Sequence, residues 1–222
     1  MKREKLNIIY EDRDLLVVNK PVRLLTIANN NKQEKTLFHQ AVLYEKQKNK
    51  NNKIFIVHRL DRDVSGLVIL AKSEKVKRIL QDNWHELVIT RGYKAIVEGH
   101  VEQASSVIKS YIAETKTFLS YTTNNPNKGK LAITEYKKVR ANKKYTLLDI
   151  NLLTGRKNQI RVHMQDIGHP IAGDKKYGAS GNPLNRLGLH AERLEFYHPI
   201  SKQKLDLISK LPSEFALMFP DT

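Results

Sequence analysis

The chain of 222 residues contains no cysteine. Disulfides, thiolate nucleophiles and cysteine-held zinc are therefore excluded. Also missing is any apolar run near the roughly 20 residues that a membrane helix needs, so no membrane partner is expected. The opening Met1-Lys2-Arg3-Glu4-Lys5 leads into a brief apolar patch and then Glu11-Asp12. That fits neither a secretory signal nor an acid-poor transit peptide, and a cytoplasmic location is the expectation. No glycine-rich phosphate loop of the nucleotide-binding kind is found. Acidic residues are scarce as well: 23 Asp and Glu stand against 39 Lys and Arg, a net charge of +16. Such a field favours a polyanion, and dispersed Lys and Arg suit the phosphates of nucleic acid. An anionic membrane surface competes less well, because no long basic amphipathic helix with an aromatic face is present.

What is there fits a single domain over 1–222, with 40% hydrophobic residues and ample length for a core. Leu6 to Tyr10 and Leu15 to Val18 flank a polar turn and predict a β-hairpin that Pro21 closes. Asn29-Asn30-Asn31-Lys32 reads as a loop. Thr36 and Ser73 are placed to cap helices over Leu37 to about Lys46 and onward to about Trp84. Tyr93, Ala95 and Val97 alternate with polar residues as in a strand. Ala132 to Val139 and Tyr145 to Leu153 predict two more strands, with Asn124 to Gly129 as a turn. Thr154 is a plausible N-cap for a helix whose face carries Ile160, Met164 and Ile167, with Gly168 at its end. The order implies an α+β fold: a mixed, mostly antiparallel sheet core with flanking helices.

The densest chemistry lies between Ile54–Val57 and Leu67–Ala71, two apolar, strand-like runs. They bound Arg59, Asp61, Arg62 and Asp63. A charged segment between buried strands must surface at a sheet end, where loops hold groups on a rigid base. An ionised Asp61 flanked by arginines is a candidate nucleophile; an ordinary solvated ion-pair loop is the plainer alternative. Arg161 lies beside the apolar stripe of its helix, so its head can turn inward while its stem packs. His163 and His169 do not have metal-ligand spacing, and no metal is expected.

His58-Arg59-Leu60-Asp61-Arg62, then Ser65-Gly66 and a strand ending Ala71-Lys72, resembles the catalytic motif of the RluA family of RNA pseudouridine synthases. Tyr93-Lys94-Ala95-Ile96-Val97-Glu98-Gly99 is similar to a second family segment. Gly155, Arg156, Gln159, Ile160, Arg161 and His163 match a third, and Leu189-His190-Ala191 with Phe196-Tyr197-His198-Pro199 a fourth. Three positions depart from the pattern: Val64 stands for Thr, Arg23 for Gly and Asn158 for His. The resemblance implies the pseudouridine synthase fold without an S4 module, acting on a ribosomal or transfer RNA stem-loop; a monomer is the default expectation. It implies Asp61 as nucleophile, Tyr93 against the base assisting proton removal, and Arg161 pairing with the Asp61 carboxylate. Arg59 would fill the gap left by a flipped-out uridine, Arg62 and Gln159 would bind substrate, and Leu189 would wall the uracil pocket. Uridine and pseudouridine are isomers, so no cofactor is implied. A non-catalytic RNA-binding or ribosome-assembly protein on the same fold is the alternative. A glycosidic hydrolase would want two working carboxylates, and Asp63 is expected to face outward.

Overall fold

The computed structural model describes residues 6–28 and 35–219; the stretch Asn29-Asn30-Asn31-Lys32 lies outside them. Two compact units emerge. One comprises Met1–Ile89 with Ala191–Lys210, the other Thr90–His190 with Leu211–Thr222.

In the first unit, β1 (Ile8–Glu11) and β2 (Leu15–Lys20) form the expected antiparallel hairpin. Asp12 shapes its turn by accepting the backbone N–H groups of Asp14 and Leu15 through Oδ1. β2 pairs antiparallel with β4 (Ser65–Ala71), and the short β3 (Phe55–Ile56) pairs with the far end of β4. Every residue of β4 is buried, which explains a continuous apolar run in place of alternation. β10 (Leu189–Tyr197) lies next to β4 and forms a hairpin with β11 (Lys204–Ile208). Gly66 makes that approach possible. Its φ is +122°, and a Cβ there would sit 2.1 Å from the Ala191 carbonyl oxygen.

Thr36 and Ser73 cap as expected, their side-chain oxygens accepting from the N–H groups of His39 and Val76. Helix α1 runs Leu37–Lys48. Helix α2 runs Glu74–Asp82 and stops short of Trp84, at Asn83, whose side-chain amide turns back onto the Ile79 carbonyl. A separate turn of helix, α3, covers Trp84–Leu87. The core joins Leu15, Val17, Leu67 and Ile69 from the sheet to Val76 and Leu80 from α2 and to Leu194, Phe196 and Leu205.

In the second unit, β5 (Val88–Glu98), β6 (Ser105–Glu114), β7 (Ser120–Thr123), β8 (Lys130–Ala141) and β9 (Tyr145–Leu152) form an antiparallel sheet in the order β5-β9-β8-β6-β7. Helix α4 (Gln159–Asp166) lies over β7 and β8, and α5 (Ser213–Met218) follows near the end of the chain. One core gathers Ile112, Ala132, Val162 and Tyr177; another gathers Ile96, Leu147, Ala172, Leu184, Phe215 and Phe219.

Thr154 does not cap α4. Its hydroxyl accepts the Ile133 N–H and donates to Gln159 Oε1. The helix instead begins after Asn158, whose φ of +55° places it in the left-handed region, a conformation asparagine tolerates better than most residues.

Candidate active site

The Asp61 loop belongs to the first unit and is tied down at successive residues. His58 Nε2 accepts the Ile69 N–H at 3.0 Å, and its ring stacks at a tilt on Trp84, 5.1 Å between centroids. Leu60 is bracketed by Thr26, whose hydroxyl donates to the Leu60 carbonyl at 2.8 Å and accepts the Leu60 N–H at 3.2 Å. Asp61 itself is half-buried, and its carbonyl accepts the Val64 N–H to close a turn. Lys20, fully buried, donates to the carbonyls of Pro21, Leu24 and Arg62 at 3.0, 2.7 and 3.2 Å. Three carbonyls match the three N–H donors of an ammonium group. The carboxylate-bearing turn is thus fastened on both sides by buried polar groups, the support a functional side chain needs. Arg59, Arg62 and Asp63 are exposed on the same loop.

Arg23 follows Lys20 and Pro21 with a φ of +65°. The turn keeps the left-handed backbone that glycine suits, despite the bulkier side chain.

The second unit carries Tyr93, Gln159, Arg161 and Leu189. Tyr93 is half-buried on β5 and lies in register with Ile150 of β9. Arg161 projects from α4 into a built socket. Its Nε and Nη2 fork onto Asp174 Oδ2 and Oδ1, both at 2.7 Å. Its Nη1 donates to Asn158 Oδ1 at 3.0 Å, and its guanidinium lies 4.9 Å from the centre of the Tyr177 ring. Asn158, one of the three departures from the family pattern, therefore helps to hold Arg161. The inward turn of the Arg161 head agrees with the expectation from the helix face. Asp174, 2% exposed, has no role assigned from the sequence, although it stands in the His169–Gly178 stretch that also resembles the family.

Gln159, expected to bind substrate, has its amide engaged inside the unit. Oε1 accepts from the Thr154 hydroxyl and the Arg156 N–H, while Nε2 donates to the Ile133 carbonyl and the Thr134 hydroxyl. It braces the Thr154–Asn158 loop. Leu189 is buried at the start of β10.

His163 is fully buried between the Ser110 hydroxyl, 3.0 Å from Nε2, and the Thr134 hydroxyl, 2.8 Å from Nδ1. Burial pushes its pKa down to about 4, with Asp166 opposing. Its ring is neutral at physiological pH.

Among the described residues, one group has ligand atoms close enough to suggest a metal: Asp12, Asp14 and His198. The ring tautomer argues otherwise. His198 Nδ1 accepts the N–H groups of Ile200 and Ser201, so Nε2 carries the proton. That nitrogen faces Asp12 Oδ2 at 3.0 Å, off the line of a good hydrogen bond. The group is a carboxylate–histidine contact between two hairpin turns.

Residues 14–166 match the family described as RNA pseudouridylate synthase. An RNA pseudouridine synthase of Bacillus subtilis, YhcT, is 32% identical, covering 95% of this chain and 70% of its own. A ribosomal large subunit pseudouridine synthase D of Zymomonas mobilis is 33% identical, covering 96% and 72%. Among solved structures, the human RNA pseudouridylate synthase domain containing 4 superposes with a TM-score of 0.78 at 22% identity, over 95% of this chain and 90% of that one. The chain belongs to the RNA pseudouridylate synthase family, and it has that family's α+β fold. It is an RNA-modifying isomerase.

Proposed function

We propose that the enzyme converts a specific uridine of ribosomal RNA, transfer RNA or both into pseudouridine, with Asp61 as nucleophile. The N1–C1′ bond of the uridine breaks, the uracil turns, and C5 joins C1′; the proton leaving C5 is matched by one gained at N1. Reactant and product are isomers, so nothing is consumed. The base is unreachable in a stacked helix and must flip out. Arg59, exposed beside Asp61, occupies the space it leaves, and Arg62 contacts the backbone. Tyr93 assists proton removal at C5. Arg161, held in place by Asp174 and Asn158, is the cation that serves the reacting carboxylate. Leu189 offers an apolar surface to the uracil.

The observation that carries this reading is the Asp61 turn, bound through Thr26 and Lys20 inside the family-matched span. Relatives named as ribosomal large subunit enzymes support ribosomal RNA as the first substrate to examine.

The test maps pseudouridines in ribosomal and transfer RNA by carbodiimide-dependent reverse-transcription stops, in cells with and without the gene. A site lost in the deletion should return with the wild type and stay absent with Asp61→Asn. The purified variant should still bind the RNA. Full restoration by Asp61→Asn removes the nucleophile assignment.

A further inference from the structure

A cavity of about 600 Å³ opens in the second unit, walled by the end of β6, the turn before β8 and the Thr154–Asn158 loop. Lys128, Lys130, Gly155, Arg156 and Lys157 line it, with Glu114 as its acidic member. That acid is answered: Lys157 Nζ lies 2.7 Å from Glu114 Oε2. Lys128, Lys130 and Arg156 are exposed, and no acidic side chain pairs with any of them among the described residues. Arg156 is not a loose surface cation. Its Nε donates to the Leu131 carbonyl at 2.9 Å, and its backbone N–H is held by Gln159. The brace built from Gln159 and Thr154 thus sets where this guanidinium sits.

A second arginine stands beside it. Arg91, half-buried on β5, lies against Gly155 so closely that a Cβ there would come within 2.8 Å of its Nη1. Burial and then the charge of Arg156 lower the Arg91 pKa, with Tyr93 opposing. Two guanidiniums held near one another repel. An anion that bridges them turns that repulsion into two charge-assisted contacts.

We propose that this cleft holds the sugar–phosphate backbone of the RNA, with one phosphate seated between Arg91 and Arg156 and its neighbours running along Lys128 and Lys130. The assignment rests on RNA being the substrate. It names a set of backbone contacts distinct from the Asp61 loop. Planar arginines suit a phosphate seat by their fork geometry, and the lysines suit a flexible strand as point charges. The proximity of Arg91 to Tyr93, two residues along the same strand, sets the seated phosphate close to the target nucleotide.

The experiment measures binding of a fluorescein-labelled RNA hairpin with a uridine-rich loop by anisotropy across a salt series, using the full chain. Each phosphate contact contributes about 0.7 to 0.9 to the slope of log affinity against log salt concentration. Lys128→Ala/Lys130→Ala/Arg156→Gln should therefore lower the slope by about 2. Lys75→Ala/Lys143→Ala/Lys210→Ala removes the same charge from exposed positions elsewhere and should leave most of the slope in place. Equal losses in the two triple variants, or none in the first, overturn the cleft. Arg91→Gln, confirmed folded by circular dichroism, should lower the slope by about 1; an unchanged slope removes Arg91 from the site. Pseudouridine formation by the wild type is scored in parallel. Turnover with no slope change rejects the cleft and leaves the enzymatic reading standing. A slope change without turnover upholds the cleft, and the enzymatic reading is then decided by the mapping of ribosomal and transfer RNA.

Discussion

Arg161 and Asp174 show how much of the candidate site depends on a residue outside the helix, 13 positions further along the chain. Two 2.7 Å contacts join a guanidinium and a carboxylate that is 1% exposed in its side chain. Removing one member of a buried pair leaves the other uncompensated, typically at about 3 to 5 kcal/mol. Asp174→Asn should therefore lower stability in urea by about 3 kcal/mol and depress turnover, since Arg161 loses its anchor. An equally stable Asp174→Asn protein would mean that Asn158 and Tyr177 suffice to hold the arginine. At this scale the sequence was only half legible. Asp61, Tyr93 and Arg161 stand in recognisable strings, whereas their supports do not. Nothing in the string joins Lys20 to Arg62, Thr26 to Leu60 or Gln159 to Thr134. Buried polar partnerships join distant positions, and a single string of residues carries no trace of which donor meets which acceptor.

Secondary structure elements were more legible, because their signals are local. The first hairpin, the caps at Thr36 and Ser73, the turn around Asn125 and the strands β8 and β9 follow from period, turn chemistry and capping. The start of α4 was misread because Thr154 has a better use, spanning Ile133 and Gln159. The early stop of α2 was missed because Asn83 caps through a side-chain bond that a helix-compatible pattern hides. β4 supplies the sharpest test of an element. Gly66→Ala would drive a methyl group into the Ala191 backbone and force a φ of +122° on a residue that avoids it. Loss of native circular dichroism is the expected outcome. A folded Gly66→Ala protein would show that β10 can move away from β4 without collapse.

The whole molecule divides its acid sensitivity between its two units. In the second unit, His163 titrates near 6.5 when unfolded and near about 4 when folded. As pH falls below 6.5 the unfolded chain takes up a proton that the folded one refuses. Stability declines until about pH 4, by about 3 kcal/mol in all. In the first unit, burial pushes Glu11 up, but Lys48, Lys72 and the Tyr44 hydroxyl outweigh it and bring its pKa from 4.5 down to about 2. That contribution is intact above 4.5 and is lost only as pH falls toward 2. Between pH 6.5 and 4.5, amide exchange should therefore quicken in the second unit and hold steady in the first. Trp84, the chain's one tryptophan, lies in the first unit and should keep its emission over that range. His163→Gln should flatten the decline. Simultaneous weakening of both units, or an unchanged slope in the variant, would count against this division. Charge and family were legible at this scale from composition and long motifs; the division into two units was not, because contact density has no counterpart in a linear pattern.

The burial of Lys20 has a chemical consequence. Acylating reagents modify amines that solvent can reach, and this protein presents many such lysines. Lys20, with no exposed surface and three carbonyl partners, should remain unmodified while they react. It becomes reachable only when the turn behind Asp61 lets go of it. The pace at which acetic anhydride labels this single position, read by peptide mass spectrometry, is therefore a clock for opening of the Asp61 turn, and bound RNA that grips the turn should slow it.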